Sequence, residues 1–150
     1  MKRAIDLAVH NVETGGGGPF AALIVREGQV IAEATNTVTT SNDPTAHAEV
    51  NVIRIACAAL RNFQLGGCDL YASCEPCPMC LGAIYWARLG RVFYAGTRMD
   101  AAAAGFDDDV FYRELEKEPA LRRTPMIALH CSEAAAPFRA WLESSIRRPY

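Results

Sequence analysis

Two short segments about thirty residues apart, His47-Ala48-Glu49 and Pro76-Cys77-Pro78-Met79-Cys80, limit what this chain can fold into more than any other feature of it. They offer an imidazole, two thiols and a carboxylate, a set that serves a metal ion only if both segments reach one point. Residues two apart on a helix point in nearly opposite directions. His47 and Glu49 can therefore share a site only if it lies off the end of a helix, beside its first turn. Cys77 and Cys80, three residues apart, put both sulfurs on one side of such a turn. The fold must bring two helix N-termini together.

The remaining pattern supplies those helices. Ile5, Ala8, Val9 and Val12 recur at helical spacing over residues 1–13, and the glycines of 15–18 end that helix in a flexible loop. Residues 20–25 read as a buried strand, Glu27-Gly28 as a hairpin turn, and 30–36 as the antiparallel return. A polar loop spans 37–45. Asp43-Pro44-Thr45 is a helix-start signal, for a helix that runs to residue 61 with Val50, Ile53 and Cys57 on its apolar face. Then come a strand at 68–72, a helix at 77–88 opened by Pro76, a strand at 92–95, a helix at 107–117 and a fifth strand at 126–129. An amphipathic helix at 137–147, with Phe138, Trp141, Leu142 and Ile146 on one side, closes the chain. Strands alternating with helices predict a single α/β domain over residues 1–150, with a mixed sheet between helices.

A chain of 150 residues typically buries roughly 68–70% of its unfolded surface, so a metal is not needed here as a staple. A hydrophobic fraction of 51% argues against disorder. Lys2, Arg3, Asp6 and Glu13 interrupt the first helix, so no leader peptide is expected, and no apolar run approaches the ~18 residues of a membrane span. The expected setting is the reducing cytoplasm, where six cysteines read as metal ligands or, for Cys57, Cys68 and Cys131, as small buried hydrophobes rather than disulfides. Fifteen basic residues are scattered among seventeen acidic ones, for a net charge of −2. That balance favours a small-molecule ligand over a polynucleotide, whose phosphates call for a basic patch.

Both halves of the motif fall at predicted helix N-termini, where unpaired N–H groups carry partial positive charge. That field favours thiolate over thiol, so Cys77 and Cys80 should bind metal readily. Two thiolates and the neutral imidazole of His47 suit zinc. Three protein ligands leave the fourth position for a water molecule, which zinc acidifies toward a pKa of ~7, and Glu49 remains to carry protons. A closed cage with Cys74 as fourth ligand is the alternative, because Cys74 stands at the same spacing ahead of Cys77. Against it, Glu75-Pro76 separates Cys74 from the helix, and a cage gives Glu49 no role. A redox Cys-x-x-Cys has no use for the His-x-Glu pair.

Other residues allow a ligand role beside a plainer one. Phe20 and Trp86 can stack on a flat heterocycle or fill the core. Asn36 carries an amide matched to a purine edge, or forms a turn. The aspartates at 107–109 can cap the helix that follows. His10 and His130 have no partner pattern and read as surface residues. The 15–18 glycines lack the preceding strand and the lysine of a phosphate cradle.

His-x-Glu followed by Pro-Cys-x-x-Cys is the known signature of zinc nucleobase deaminases. Asp43-Pro44-Thr45-Ala46-His47-Ala48-Glu49 with Glu75-Pro76-Cys77-Pro78-Met79-Cys80 resembles the cytidine deaminase-like superfamily. Gly17-Gly18-Pro19-Phe20, Ser41-Asn42-Asp43-Pro44, Tyr85-Trp86-Ala87-Arg88 and Ala104-Gly105-Phe106-Asp107-Asp108 look like the bacterial guanine deaminases within it, and the resemblance continues through Pro137-Phe138 to Tyr150. It implies a cytidine deaminase-like three-layer α/β/α domain with a five-stranded mixed sheet, and one Zn2+ per subunit carrying a water or hydroxide. The implied reaction is hydrolysis of guanine to xanthine and ammonia, in purine salvage or catabolism. The metal ligands would be His47, Cys77 and Cys80. Glu49 and Asp108 would be catalytic, and Phe20, Asn36, Ala48, Trp86 and Tyr150 would touch the purine. Members of this kind form homodimers in which the C-terminal segment, here 137–150, swaps between subunits. The core motifs also occur in tRNA adenosine deaminases, so a tRNA adenosine or cytosine deaminase of the same fold is the runner-up, and a noncatalytic structural zinc module the third reading.

Overall fold

The computed structural model describes residues 1–150. Helix α1 (Lys2–Glu13) leads into a hairpin of β1 (Ala21–Arg26) and β2 (Gln29–Thr35). Glu27 and Gly28 both have positive φ, 52° and 77°, as a two-residue type I′ turn requires. There follow α2 (Val38–Ser41), α3 (Ala48–Leu60), β3 (Cys68–Cys74), α4 (Pro78–Trp86), β4 (Arg91–Gly96), α5 (Arg98–Ala103), α6 (Asp108–Glu116), a 3-10 turn (Pro119–Leu121) and α7 (Ala136–Glu143). The chain divides into two compact units, Met1–Tyr112 and Arg113–Tyr150. No helix is long and apolar enough to cross a membrane.

The first unit holds a mixed sheet of strand order β2-β1-β3-β4. β1 is antiparallel to both neighbours, and β3 runs parallel to β4 across α4. β1 is buried on both faces, which is why it reads as an unbroken apolar run rather than an alternation. Ala22 and Ile24 join Leu70, Ala72, Val52, Ala56 and Ile84 in one core between the sheet and helices α3 and α4. Ala21 and Leu23 alternate to the other side. Helix α1 packs on β1 and β3 and buries Ala4 and Ala8. Ile24, Leu70 and Val52 are the largest sheet and helix side chains fully out of water, each contributing about 1.5–3 kcal/mol.

Six expectations need correction. The sheet has four strands, not five: residues 126–129 form none, and Met126, Ile127 and Leu129 are 62%, 76% and 86% exposed. An apolar run becomes a strand only where a neighbouring edge takes its N–H and C=O groups, and none does so here. Cys131 is exposed, although Cys68 is buried as expected. The buried stripe of α3 is Ala48, Val52 and Ala56, spaced by four, with Ile53 and Cys57 only partly covered. Small residues face the sheet because they let the helix approach closely. Helix α3 starts three residues later than the Asp43-Pro44-Thr45 signal, because the Asp43 carboxylate accepts from the Thr45 N–H and hydroxyl in a turn of its own (2.8 and 2.7 Å). Finally, α7 ends at Glu143 rather than 147, and α2 arises within the polar loop expected at 37–45, while α5 fills a stretch that carried no expectation. Thr97 and Asp100 close α5 with a reciprocal capping box.

Candidate active site

Helices α3 and α4 pack against each other, and each begins with a candidate ligand at its N-cap. His47 (φ −67°, ψ 152°) and Cys77 (φ −67°, ψ 168°) share the extended backbone that places an N-cap side chain over the helix end. Pro78, at the first helical position of α4, fixes φ there and gives up an N–H that has no helical partner. Cys80 lies one turn into α4 and Glu49 in the first turn of α3. Asn51 holds the approach to His47, donating to the carbonyls of Thr35 and Ala46 (3.0 and 3.2 Å).

His47 Nδ1 lies 3.6 Å from Cys77 Sγ and 3.5 Å from Cys80 Sγ, and all three donor atoms fall within 4.8 Å of one another. A tetrahedral zinc with bonds of about 2.3 Å to sulfur and about 2.0–2.1 Å to nitrogen requires S···N edges of about 3.5 Å. The donor set and its spacing therefore fit zinc. Glu49 is buried, and the Cys80 thiol lies 3.5 Å from its Oε2.

The electrostatics point the same way. The Cys80 thiol hydrogen-bonds Cys77, and with His47 beside it the Cys77 thiol is held down to about 4, while the same bond and burial push Cys80 up. The hydrogen bond to Cys77 also raises His47. Burial pushes the Glu49 carboxyl up to about 7, well above the usual carboxylate range. The cluster thus gathers protons that a bound cation would displace, as deprotonated ligands are what metals take. Cys74 does not join it: its thiol donates to the Thr97 carbonyl (3.4 Å), and burial pushes it up to about 11.

A cleft of about 180 Å3 opens beside the cluster, bordered there by His47, Glu49 and Cys77. Phe20 and Phe106 form an edge-to-face aromatic corner (centroids 4.7 Å apart, planes at 78°). Asp108, at the start of α6, lines the cleft, and burial raises its carboxyl, with the charge of Cys77 adding to the effect. Tyr112, one turn on, ties α6 to the metal loop by donating to the Pro76 carbonyl (2.8 Å), with Arg98 over its ring (4.6 Å). Asn36 Oδ1 accepts the Val38 N–H (3.2 Å), which leaves the Asn36 amide with its NH2 as donor for a ligand.

The structure thus gathers His47, Cys77, Cys80, Glu49, Asp108, Phe20 and Asn36. It does not bring Ala48 or Trp86 to the cleft. Ala48 is wholly buried in the core. Trp86 ends α4 at 62% exposure, with the Arg88 guanidinium 5.9 Å from its ring centroid. Tyr150 belongs to the second unit and is exposed. The sequence did not point to Gly18, Val38, Thr39, Glu75 and Phe106 as lining residues. Gly18, Glu75 and Phe106 lie beside predicted site residues in the sequence, so adjacency was the available signal; Val38 and Thr39 had none.

Residues 1–96 match the family model of the cytidine and deoxycytidylate deaminase zinc-binding region. Over all 150 residues the chain is 54% identical to the guanine deaminase of Bacillus subtilis, covering 96% of that protein. The X-ray structure of guanine deaminase from Bacillus subtilis superposes with a TM-score of 0.97, covering 99% of this chain and 95% of that one. A structure described as guanine deaminase from Nitrosomonas europaea gives a TM-score of 0.67 at 33% identity, over 71% of this chain and 62% of that chain. A tRNA-specific adenosine deaminase of Agrobacterium fabrum is 50% identical over 76 residues, 51% of this chain and 50% of that protein.

Proposed function

The chain belongs to the cytidine and deoxycytidylate deaminase zinc-binding family, and on that premise we propose that it hydrolyses guanine to xanthine and ammonia. One observation carries the choice of base. The likeness to a guanine deaminase runs through the whole chain at 54% identity, whereas tRNA-specific adenosine deaminases match either about half of it at 50% identity or 82% of it at only 32%. The segment beyond the family region supplies Phe106 and Asp108, which close the cleft on one side.

His47, Cys77 and Cys80 would hold the zinc, which when bound acidifies a water molecule. Phe20 and Phe106 border the flat ring. The Asn36 NH2 donates to an acceptor such as O6, which guanine has and adenine, with an amino group there, lacks. Glu49 takes a proton from the attacking water and passes it to a ring nitrogen next to C2 as the C2–O bond forms. It then moves the hydroxyl proton to the departing amine; the C2–N bond breaks, ammonia leaves and C2 becomes a carbonyl. Asp108 faces the same cleft and can accept from the amino group on its way out. Purified zinc-loaded protein should release xanthine and ammonia from guanine, with little turnover of cytosine, adenine or a tRNA substrate, followed by chromatography. No xanthine from guanine, with turnover of another base, would overturn the substrate.

The reading extends to a cytoplasmic homodimer in which residues 137–150 cross to the second copy. No residue beyond Ala101 is buried, and Phe138, Leu142 and Ile146 are among the most exposed apolar side chains. Such a surface asks for a partner, and a two-fold dimer is the commonest one. Cutting the chain after Ala136 should abolish the dimer and the activity together. A fully active monomer after truncation would refute the exchange.

A further inference from the structure

We infer that Asn11, on α1 and away from the reacting groups, is a positioning residue for base selection, acting through Asn36. This rests on guanine as the substrate. Asn11 is only 6% exposed, although asparagine is ordinarily a surface residue. Its single NH2 group spends both hydrogens on two cleft-lining residues. One N–H donates to the Gly18 carbonyl (2.8 Å) and the other to the Asn36 carbonyl (2.9 Å). One amide thus joins two backbone segments that line the cleft, the one before β1 and the one after β2.

The glycine loop is shaped around this clamp. A Cβ on Gly16 would run into Asn11 Oδ1, and one on Gly17 into the Asn36 carbonyl oxygen. Gly17 also has φ of +150°, in the range that favours glycine. The Gly16 N–H donates to the Asn11 carbonyl (2.8 Å), so the loop is bound to Asn11 through main chain as well. The run of glycines, which by composition suggests only flexibility, therefore permits a close approach, and that approach is what lets a short side chain reach both carbonyls.

The consequence falls on Asn36. Its carbonyl is held by Asn11 and its side-chain Oδ1 by the Val38 N–H, so both the backbone and the amide orientation are fixed. The NH2 then presents a donor at a set place in the cleft. A donor discriminates between bases only if it cannot shift to relieve a mismatch, because rejection comes from leaving a polar group unpaired. Without the clamp the Asn36 segment can move, and a misplacement of ~1 Å can cost about 10²-fold in rate. His47 and Cys77 cap α3 and α4, on which Glu49 and Cys80 stand, and the Asn11 side chain bonds none of these residues.

The test compares guanine with 2,6-diaminopurine, which has the same amino group at C2 and an amino group in place of O6. In the Asn11→Ala protein the preference for guanine, as a ratio of kcat/KM values, should fall at least about tenfold, mostly through KM for guanine, with zinc content unchanged. A ratio measured on one preparation does not depend on its folded fraction, so a destabilised variant still decides. If Asn11→Ala gives no folded protein, Asn11→Ser, which keeps one donor, carries the same test with a smaller fall. An unchanged ratio in a variant with lower total activity would make Asn11 merely structural and overturn the inference. If wild-type protein does not deaminate guanine at all, the substrate reading fails instead, and the two failures are told apart by that control.

Discussion

A Glu49→Gln protein is expected to keep one zinc per chain and lose about 10²–10⁴ in kcat, the usual contribution of a positioned general acid and base. Glutamine matches the shape of the carboxyl and still fills its buried place, so neither fold nor metal content should change. What it cannot do is accept a proton from water and hand it on. Burial lifts the Glu49 carboxyl to about 7, well above the usual carboxylate range, a perturbation of the kind found where protons are moved. The same burial has no structural use, since a carboxyl enclosed there costs stability that an apolar residue would not. Steady-state rates on guanine, with metal content measured on the same sample, check the expectation. Turnover like that of the unmodified protein would remove Glu49 from the mechanism. Loss of zinc together with activity would show that Glu49 supports the metal instead.

Much of this arrangement was legible in the sequence because it depends on local geometry. A His-x-Glu pair can face one point only from the end of a helix, and Cys-x-x-Cys behaves in the same way, so two residue spacings predicted two converging N-termini. The structure puts His47 and Cys77 at equivalent N-caps. Glu27-Gly28 marked the hairpin because few residues accept positive φ at both positions of its turn. What stayed hidden depends on pairing across the chain. Residues 126–129 have the composition of a strand, but pairing needs an edge in register, which composition does not report. The apolar spacing of α1 gave the helix but not the face it buries. Ile5, Val9 and Val12 look like its buried face, yet Ala4, Ala8 and Asn11 are buried and the larger residues are exposed. A small, partly polar face fits because the helix lies close to the sheet and Asn11 is needed inside. Trp86 shows the same limit in reverse: an aromatic near a metal motif invites a stacking role, but its place at the end of α4 turns it to solvent.

The second large effect separates a site open to water from a closed cage. Cys77→Ser should lower zinc affinity by more than the 10–100-fold that removal of a supporting residue costs, and turnover should fall with the metal. Cys74→Ser should keep one zinc and nearly full activity. The reason is where each sulfur points. Cys77 lies 3.6 Å from His47 Nδ1 and is already poised as a thiolate, whereas Cys74 is engaged with the Thr97 carbonyl and held as a thiol by burial. A serine at 74 can still donate to that carbonyl, so the local structure survives the change. Glu75 and Pro76 explain the divergence: β3 ends at Cys74, and α4 begins only at Pro78. The three evenly spaced cysteines therefore do not lie on one helix. Metal content before and after chelation, with rates on both variants, decides the matter. If Cys74→Ser lost its zinc as readily as Cys77→Ser, four protein ligands would enclose the metal and water would have no place on it. In that case deamination at this site would have to be abandoned, however well the rest of the cleft suits a purine.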